Sequence, residues 1–322
     1  MERAPTTRGS ASAVLSTGDL SLTEQYRCVR QTSLRCCAPL AVEDHSLQSM
    51  PDASPAKWHL AHTTWFFETF LLSEHLPGYR AFHPAFRNLF NSYYNAVGDR
   101  PLRALRHTLS RPTLDEVHAY RTHVDGAMSR LLAHEMAPDV LDLFVLGLNH
   151  EQQHQELILT DVKNGLALNP LRPAYRKAHD SGADSLKAAP ALRWHSFSEG
   201  VYPIGFEGEG FAFDNEGPRH KVYLAPFRMA SRLVTNREYM QFMRDGGYVN
   251  AALWLSDGRD CARANQWGAP LYWEMRDGQW WHYTMEGMSP VSPEEPVCHV
   301  SYYEADAFAR WGCALHNPAS AR

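Results

Sequence analysis

The sequence lacks a hydrophobic run that could cross a membrane, because its longest apolar runs fall far below the ~18–20 residues that a spanning helix needs. It also lacks a basic surplus: its formal net charge is −5, which gives no sign of a nucleic-acid partner. Residues 1–20 contain no apolar core segment, so we expect a disordered leader rather than a secretory signal. With 322 residues, 44% of them hydrophobic, the chain is predicted to be soluble, globular and long enough for two domains.

Cysteine is sparse and shows no pattern. The six cysteines include no Cys-x-x-Cys pair and no regular ladder, which argues against a disulfide framework and against a cysteine zinc site. A reducing cytoplasm is therefore the expected location. Cys36 and Cys37 are interpreted as buried residues of a helix, because a free cysteine packs as a small hydrophobic side chain.

The most informative stretch is residues 146–157, which read LGLNHEQQHQEL. In a helix, His150 and His154 are one turn apart and lie on the same face. Apolar residues recur around them at helical spacing, so this face is predicted to point into a core. Two imidazoles at i and i+4 can bind one metal ion from a single helix, but the site needs at least a third ligand from elsewhere.

The first half of the chain is predicted to be a four-helix bundle with one long connection, an architecture that forms metal sites between facing helices. Thr113 and Glu116 match a capping box at the start of one helix. Ser54 is expected to cap another, with Pro55 in its first turn. Residues 77–112 are rich in turn formers and should hold only short helical pieces. The four predicted helices span residues 22–38, 56–75, 113–134 and 138–165.

The missing ligand should lie on another inward-facing stripe. The second predicted helix has one at i+4 spacing, formed by Trp58, His62, Phe66 and Phe70. His62 is on this stripe and His59 is one position off it. We therefore predict that His62, His150 and His154 form a three-histidine metal site. Such a set leaves coordination positions open, as in catalytic sites.

Spacing does not choose the metal, because nitrogen ligands suit zinc, iron, copper or nickel. Three acidic residues lie near the histidine pair. Glu151 and Glu156 fall on other faces of the helix, so we expect them either to face solvent or to contact the metal ligands without binding the metal themselves. Asp161 is the better candidate for orienting a histidine.

The second half has a different character. Residues 167–193 are linker-like, and residues 194–322 are rich in aromatic residues, glycine and proline, which indicates an irregular α+β domain. Helices are predicted over residues 236–245 and 302–311. The scattered histidines of this half have no metal-ligand spacing and are interpreted as structural: His220, His282, His299 and His316.

Several motifs resemble a known family. Residues 58–68 (WHLAHTTWFFE), 91–98 (NSYYNAVG) and 150–156 (HEQQHQE) are similar to the DinB-type domain of ergothioneine-biosynthesis sulfoxide synthases. The formylglycine-generating-enzyme-like domain that follows it in that family resembles four stretches here: residues 211–220 (FAFDNEGPRH), 234–239 (VTNREY), 245–248 (DGGY) and 254–258 (WLSDG). The resemblance covers residues 22–311, and the two domains in this order are more specific than either alone.

The resemblance implies a multidomain α and α+β protein. A DinB-like four-helix bundle would span residues 21–166, a linker 167–193, and an irregular formylglycine-generating-enzyme-like (C-type-lectin-like) domain 194–322. The implied enzyme contains non-haem Fe(II) and uses O2. It joins γ-glutamylcysteine or cysteine to the imidazole C2 of N,N,N-trimethylhistidine (hercynine) and gives a sulfoxide. Gln153 would approach the trimethylhistidine imidazole, and Arg103 and Arg106 would bind carboxylates of the thiol substrate, for which a guanidinium is well shaped.

The end of the chain departs from the family pattern. After residues 308–311 (FARW) the family continues into a further stretch, whereas this chain ends eleven residues later. The second domain is therefore expected to be incomplete, and the family's active-site tyrosine has no counterpart here, so the catalytic residue stays unknown. The alternatives are a selenoneine synthase of the same superfamily, a zinc-dependent DinB-type thiol S-transferase, and an inactive truncated metal-binding remnant.

Overall fold

The structure is a computed structural model that describes residues 20–92, 101–177 and 188–316. The predicted leader lies outside these residues except for its last position. The chain divides into two compact units, Met1–Gly165 and Leu166–Arg322. Among the described residues, no helix combines the length and the apolar character that a membrane span requires.

The first unit is helical, as predicted. A π-helical turn, Phe67–Leu72, joins α2 to α3 without a break. Short 3-10 segments cover Glu43–Ser46 and Arg103–Thr108. The helices are α1 Leu22–Cys37, α2 Ala56–Phe66, α3 Ser73–His75, α4 Phe86–Leu89, α5 Leu114–Leu131 and α6 Pro138–Leu168.

Of the two helix caps predicted from the sequence, the structure contains the one at α5 and not the one at α2. The capping box of Thr113 with Glu116 is present at α5. The predicted cap at Ser54 is wrong: Pro55 occupies the N-cap position of α2, and no side chain caps this helix. Ser54 has other partners, because its hydroxyl accepts from Arg106 at 2.7 Å and its backbone N–H donates to Asp161 at 2.8 Å.

All eleven side chains of α2 are buried. The helix therefore has no solvent face, and its polar side chains must find partners inside the unit. α6 comes close to it at Gly147, where an added Cβ would lie 2.8 Å from the Phe67 ring and 2.9 Å from the Phe66 ring. This close approach explains a glycine in the middle of a long helix.

Behind α2, the carboxylate of Glu151 on α6 is completely buried. It accepts from Arg30 of α1 at 2.9 Å and from Arg121 of α5 at 3.0 Å. Burial alone would raise the pKa of Glu151, but the two guanidinium charges outweigh it and lower the pKa to about 2. The solvent-facing interpretation of Glu151 is therefore wrong, because α1 and α5 enclose this side of α6. Glu156 is exposed, as expected.

The same two arginines also bind α2. Arg30 donates to the Thr64 hydroxyl at 2.9 Å, and Arg121 donates to the Leu60 carbonyl at 3.0 Å. One buried network thus joins α1, α2, α5 and α6. Within this network, hydrogen bonds between protein groups replace those that the charged groups would make with water. Charges can be buried only when they are paired in this way.

The second unit contains small antiparallel sheets, in agreement with an irregular α+β fold. β1 Trp194–Phe197 pairs with β4 Phe227–Ala230, and β2 Gly200–Ile204 pairs with β3 His220–Leu224. A three-stranded meander is formed by β5 Trp273–Arg276, β6 Gln279–Thr284 and β7 Gly287–Pro290. Short 3-10 segments cover Asp214–Glu216 and Ala251–Leu253.

Three helices accompany these sheets: α7 Asn236–Arg244, α8 Ser256–Ala264 and α9 Tyr302–His316. Two of them were predicted, and α8 was not. Gly258 of α8 allows α9 to approach, since an added Cβ would lie 2.5 Å from the Tyr303 ring. These helices enclose a small core, whose buried members are Tyr239, Phe242, Tyr248, Trp254, Ala262 and Ala307.

The predicted linker is attached to the second unit where the structure describes it. The Arg176 backbone N–H donates to the Met285 carbonyl at 3.0 Å, and the Tyr283 hydroxyl donates to the Pro173 carbonyl at 2.6 Å. On the other side of residues 178–187, which lie outside the described residues, Ala189 N–H donates to Glu294 at 2.9 Å. These described segments are therefore part of the fold of that unit.

Replacing the central buried carboxylate should destabilise the first unit. Glu151→Gln leaves two buried guanidinium groups without their common counter-charge, so we expect a loss on the order of 3–5 kcal/mol. Chemical denaturation followed by circular dichroism measures the change. Glu156→Gln, the same substitution at an exposed position of α6, is the control and should change stability by less than about 0.5 kcal/mol. Equal stability of the two variants would contradict the assigned role of the network.

Candidate metal centre

Two helices bring four histidines to one place in the first unit. α2 contributes His59 and His62, and α6 contributes His150 and His154. His62, His150 and His154 each offer a ring nitrogen, and these nitrogens all lie within 4.8 Å of one another. Their ring centroids are 4.6–5.0 Å apart. The structure thus brings together the three histidines that spacing selected.

These imidazoles are held in their neutral form. Burial lowers the pKa of His150 to about 4. Burial and the neighbouring histidines hold the pKa of His62 and that of His154 well below the ordinary value. A neutral imidazole is the form that offers a lone pair to a metal ion.

The second ring nitrogen of each histidine has a different environment. His62 Nδ1 lies 2.6 Å from the backbone carbonyl of Phe90. A carbonyl only accepts, so this nitrogen carries the hydrogen and Nε2 of His62 has the free lone pair. His150 Nδ1 is buried and has no hydrogen-bond partner within residues 20–92, 101–177 and 188–316.

The fourth histidine was not predicted to take part. His59 is 2% exposed, and its Nδ1 lies 2.8 Å from Nδ1 of His154. On its other side, His59 Nε2 lies 3.1 Å from the carboxylate of Asp161. Asp161 therefore contacts a histidine, as expected, but that histidine is His59 rather than one of the predicted ligands.

An aromatic stack borders the histidines. The indole of Trp58 stacks on His62, with ring centroids 4.4 Å apart and an angle of 15° between the planes. The guanidinium of Arg106 lies 3.4 Å from the centroid of Trp58, a cation–π distance. Arg106 also donates to the hydroxyls of Ser54 and Ser92, at 2.7 and 3.1 Å.

The predicted substrate-binding residues occupy different environments. Arg106 is 4% exposed, and its guanidinium lies over Trp58, which stacks on His62. Arg103, one turn earlier in the same 3-10 segment, is exposed. Gln153 is exposed on α6, directly before His154.

The residues present fit a bound metal ion. Three neutral imidazoles converge from two helices, and Nδ1 of one of them, His150, is buried without a partner among the described residues. Buried imidazoles without polar partners are costly, and a metal ion removes this cost by accepting their lone pairs. Three ligands also leave positions open for other molecules, which structural metal sites do not.

Comparisons with known proteins identify the type of domain in the second unit. Residues 197–317 match the model of the Sulfatase-modifying factor enzyme 1-like domain. A formylglycine-generating enzyme from Streptomyces coelicolor is 32% identical over 153 residues, which are 42% of this chain and 48% of that protein.

Longer matches extend over both units. A hercynine oxygenase from Mycolicibacterium thermoresistibile is 30% identical over 278 residues, and one from Mycobacterium tuberculosis is 30% identical over 269 residues, each match covering 82% of this chain. The matches span 56% and 60% of the length of these two relatives. Over both units the chain is therefore similar to hercynine oxygenases, and its second unit is similar to formylglycine-generating enzymes.

Proposed function

We propose that this chain is the metal-binding part of an O2-dependent oxidoreductase that forms a carbon–sulfur bond. In this proposal residues 21–166 are a DinB-like domain that binds Fe(II) through His62, His150 and His154. The substrates are a thiol, γ-glutamylcysteine or cysteine, and N,N,N-trimethylhistidine, which are joined at the imidazole C2 to give a sulfoxide. The observation that carries the proposal is the three-histidine group, with two members buried and His150 partly buried, inside a chain similar to hercynine oxygenases.

The donor set is consistent with this reaction class. Three neutral imidazoles would hold the metal ion without adding negative charge, and a three-ligand set would leave the ion accessible to other molecules. Iron supplies the one-electron chemistry that O2 requires, which zinc, having no redox chemistry, does not.

The chain's own residues would bind and orient the reactants. Burial around His62 and His154 keeps water away from the inner side of the site and strengthens electrostatic contacts there. Arg103 and Arg106 are proposed to bind carboxylates of the thiol substrate, Arg106 from its position over Trp58. The amide of Gln153 is proposed to hydrogen-bond to the imidazole of trimethylhistidine, which would fix the orientation of the reacting ring.

Each proposed ligand should be required for metal loading. We expect wild-type protein to bind one Fe(II) per chain under anaerobic conditions, and His62→Ala, His150→Ala and His154→Ala each to lose the bound iron, because two imidazoles do not form a stable site. Elemental analysis after gel filtration measures the occupancy. His134→Ala removes an exposed histidine of the same unit and should leave the iron content unchanged. Full occupancy in all three ligand variants would refute the assignment.

The reaction itself can be tested with the Fe(II)-loaded chain. Trimethylhistidine, γ-glutamylcysteine and O2 should give a product whose mass equals the sum of the two substrates minus two hydrogens plus one oxygen, while one O2 is consumed and its other oxygen atom leaves as water. Cysteine and a selenosugar, supplied as alternative donors, distinguish the thiol reaction from selenoneine synthesis. Transfer that needs zinc and proceeds without O2 would identify a DinB-type thiol S-transferase instead. Metal-loaded protein without turnover would contradict the proposed activity of this chain.

A further inference from the structure

A buried chain of hydrogen bonds runs behind the three-histidine group. It connects Nδ1 of His154 to Nδ1 of His59 at 2.8 Å, and Nε2 of His59 to Asp161 Oδ2 at 3.1 Å. We propose that His59 is a positioning residue that holds the hydrogen of His154 on Nδ1 and thereby keeps Nε2 of His154 free for a metal ion. The inference rests on the proposed function in one respect, which is that His154 is a ligand.

The donor and acceptor roles in these hydrogen bonds are set at Asp161. A carboxylate oxygen has only acceptor sites. Asp161 Oδ2 accepts the backbone N–H of Ser54 at 2.8 Å, and the same oxygen faces His59. The hydrogen between His59 and Asp161 must therefore be on Nε2 of His59.

The role of His59 Nε2 as donor then determines the role of the other nitrogen in the same ring. A neutral imidazole has one donor and one acceptor, so a hydrogen on Nε2 leaves Nδ1 as the acceptor. His59 is 2% exposed, and such a buried position disfavours the charged form of the ring. The contact between the two Nδ1 atoms holds a single hydrogen, and this hydrogen therefore belongs to His154.

The result is a matched pair of ligands. His154 has its hydrogen on Nδ1 because of His59, and His62 has its hydrogen on Nδ1 because of the Phe90 carbonyl. In both rings Nε2 has the free lone pair. α2 thus supplies one ligand directly through His62 and orients another, on α6, through His59. Metal ligands commonly depend on such partners, and losing one costs about 10–100-fold in metal affinity.

Three variants separate this role from simple packing. His59→Phe keeps the ring volume but removes the acceptor for His154. His59→Asn places an amide oxygen near the position of Nδ1, which can accept the hydrogen of His154 again. Asp161→Asn should leave the donor and acceptor roles of His59 and His154 unchanged, because the Ser54 N–H requires an acceptor oxygen at the position of Asp161 Oδ2. His45→Phe changes another buried histidine of the first unit, outside the metal group, and is the matched control.

Two measurements test the proposal. Long-range nitrogen–proton correlation spectra of labelled histidines in the metal-free chain identify which nitrogen of His154 carries the hydrogen. Titration with Co(II), followed by its visible absorption, gives metal affinity without any enzyme assay. We expect the Nδ1–H form in the wild-type chain. We also expect about 10–100-fold weaker Co(II) binding in His59→Phe, recovery of most of it in His59→Asn, and wild-type affinity in His45→Phe.

Several results would decide against the proposal. A wild-type His154 with its hydrogen on Nε2 overturns it, as does a His59→Phe variant with unchanged tautomer and affinity. Loss of affinity in His59→Phe without recovery in His59→Asn, although both variants stay folded by circular dichroism, also contradicts it. A wild-type chain with the Nδ1–H form that binds no Co(II) would instead refute the metal function while supporting the hydrogen-bond direction.

Discussion

The buried carboxylate of Glu151 is the interaction on which the geometry of the first unit depends. It follows His150 on α6, but it points to a different side of the helix, toward Arg30 and Arg121. The two arginines also bind α2, at Thr64 and at the Leu60 carbonyl. These positions flank His62 on both sides along the helix. Charged groups outside the histidine group therefore connect the part of α2 that carries His62 to the part of α6 that carries His150.

This arrangement assigns different tasks to the two sides of α6. One side carries imidazoles that are neutral because burial disfavours their protonated form. The other side carries a charge that is tolerated in the interior because two opposite charges contact it. A rigid, charged support behind a neutral donor set suits a metal site, because ligand positions must hold to within a few tenths of an ångström while open positions stay available.

The sequence predicted that His62, His150 and His154 come together because the relevant signal is local. The i,i+4 spacing placed His150 and His154 on one face, and the aromatic stripe of α2 pointed to His62. The same reasoning missed His59 because it assumed that α2 has a solvent face. The helix is buried on all sides, so a residue off the stripe is as enclosed as one on it. Periodicity cannot rank positions on such a helix.

Other errors have the same origin in tertiary contacts. Glu151 was interpreted from its place on α6, but its environment comes from Arg30, 121 positions earlier in the chain. Helix α8 contains Asp257 and Gly258, which favour turns, and its glycine lies where an added Cβ would be 2.5 Å from the Tyr303 ring. Local propensity does not include such contacts.

The most direct test of the account is X-ray absorption at the iron edge of the Fe(II)-loaded chain. The account predicts a first coordination sphere of nitrogen and oxygen atoms with the multiple-scattering pattern of three imidazoles, and a pattern reduced to two imidazoles in any loaded fraction of His154→Ala. A sphere that contains fewer than three imidazoles in the wild-type chain, or protein sulfur, would contradict the claim that α2 and α6 hold one metal ion through His62, His150 and His154.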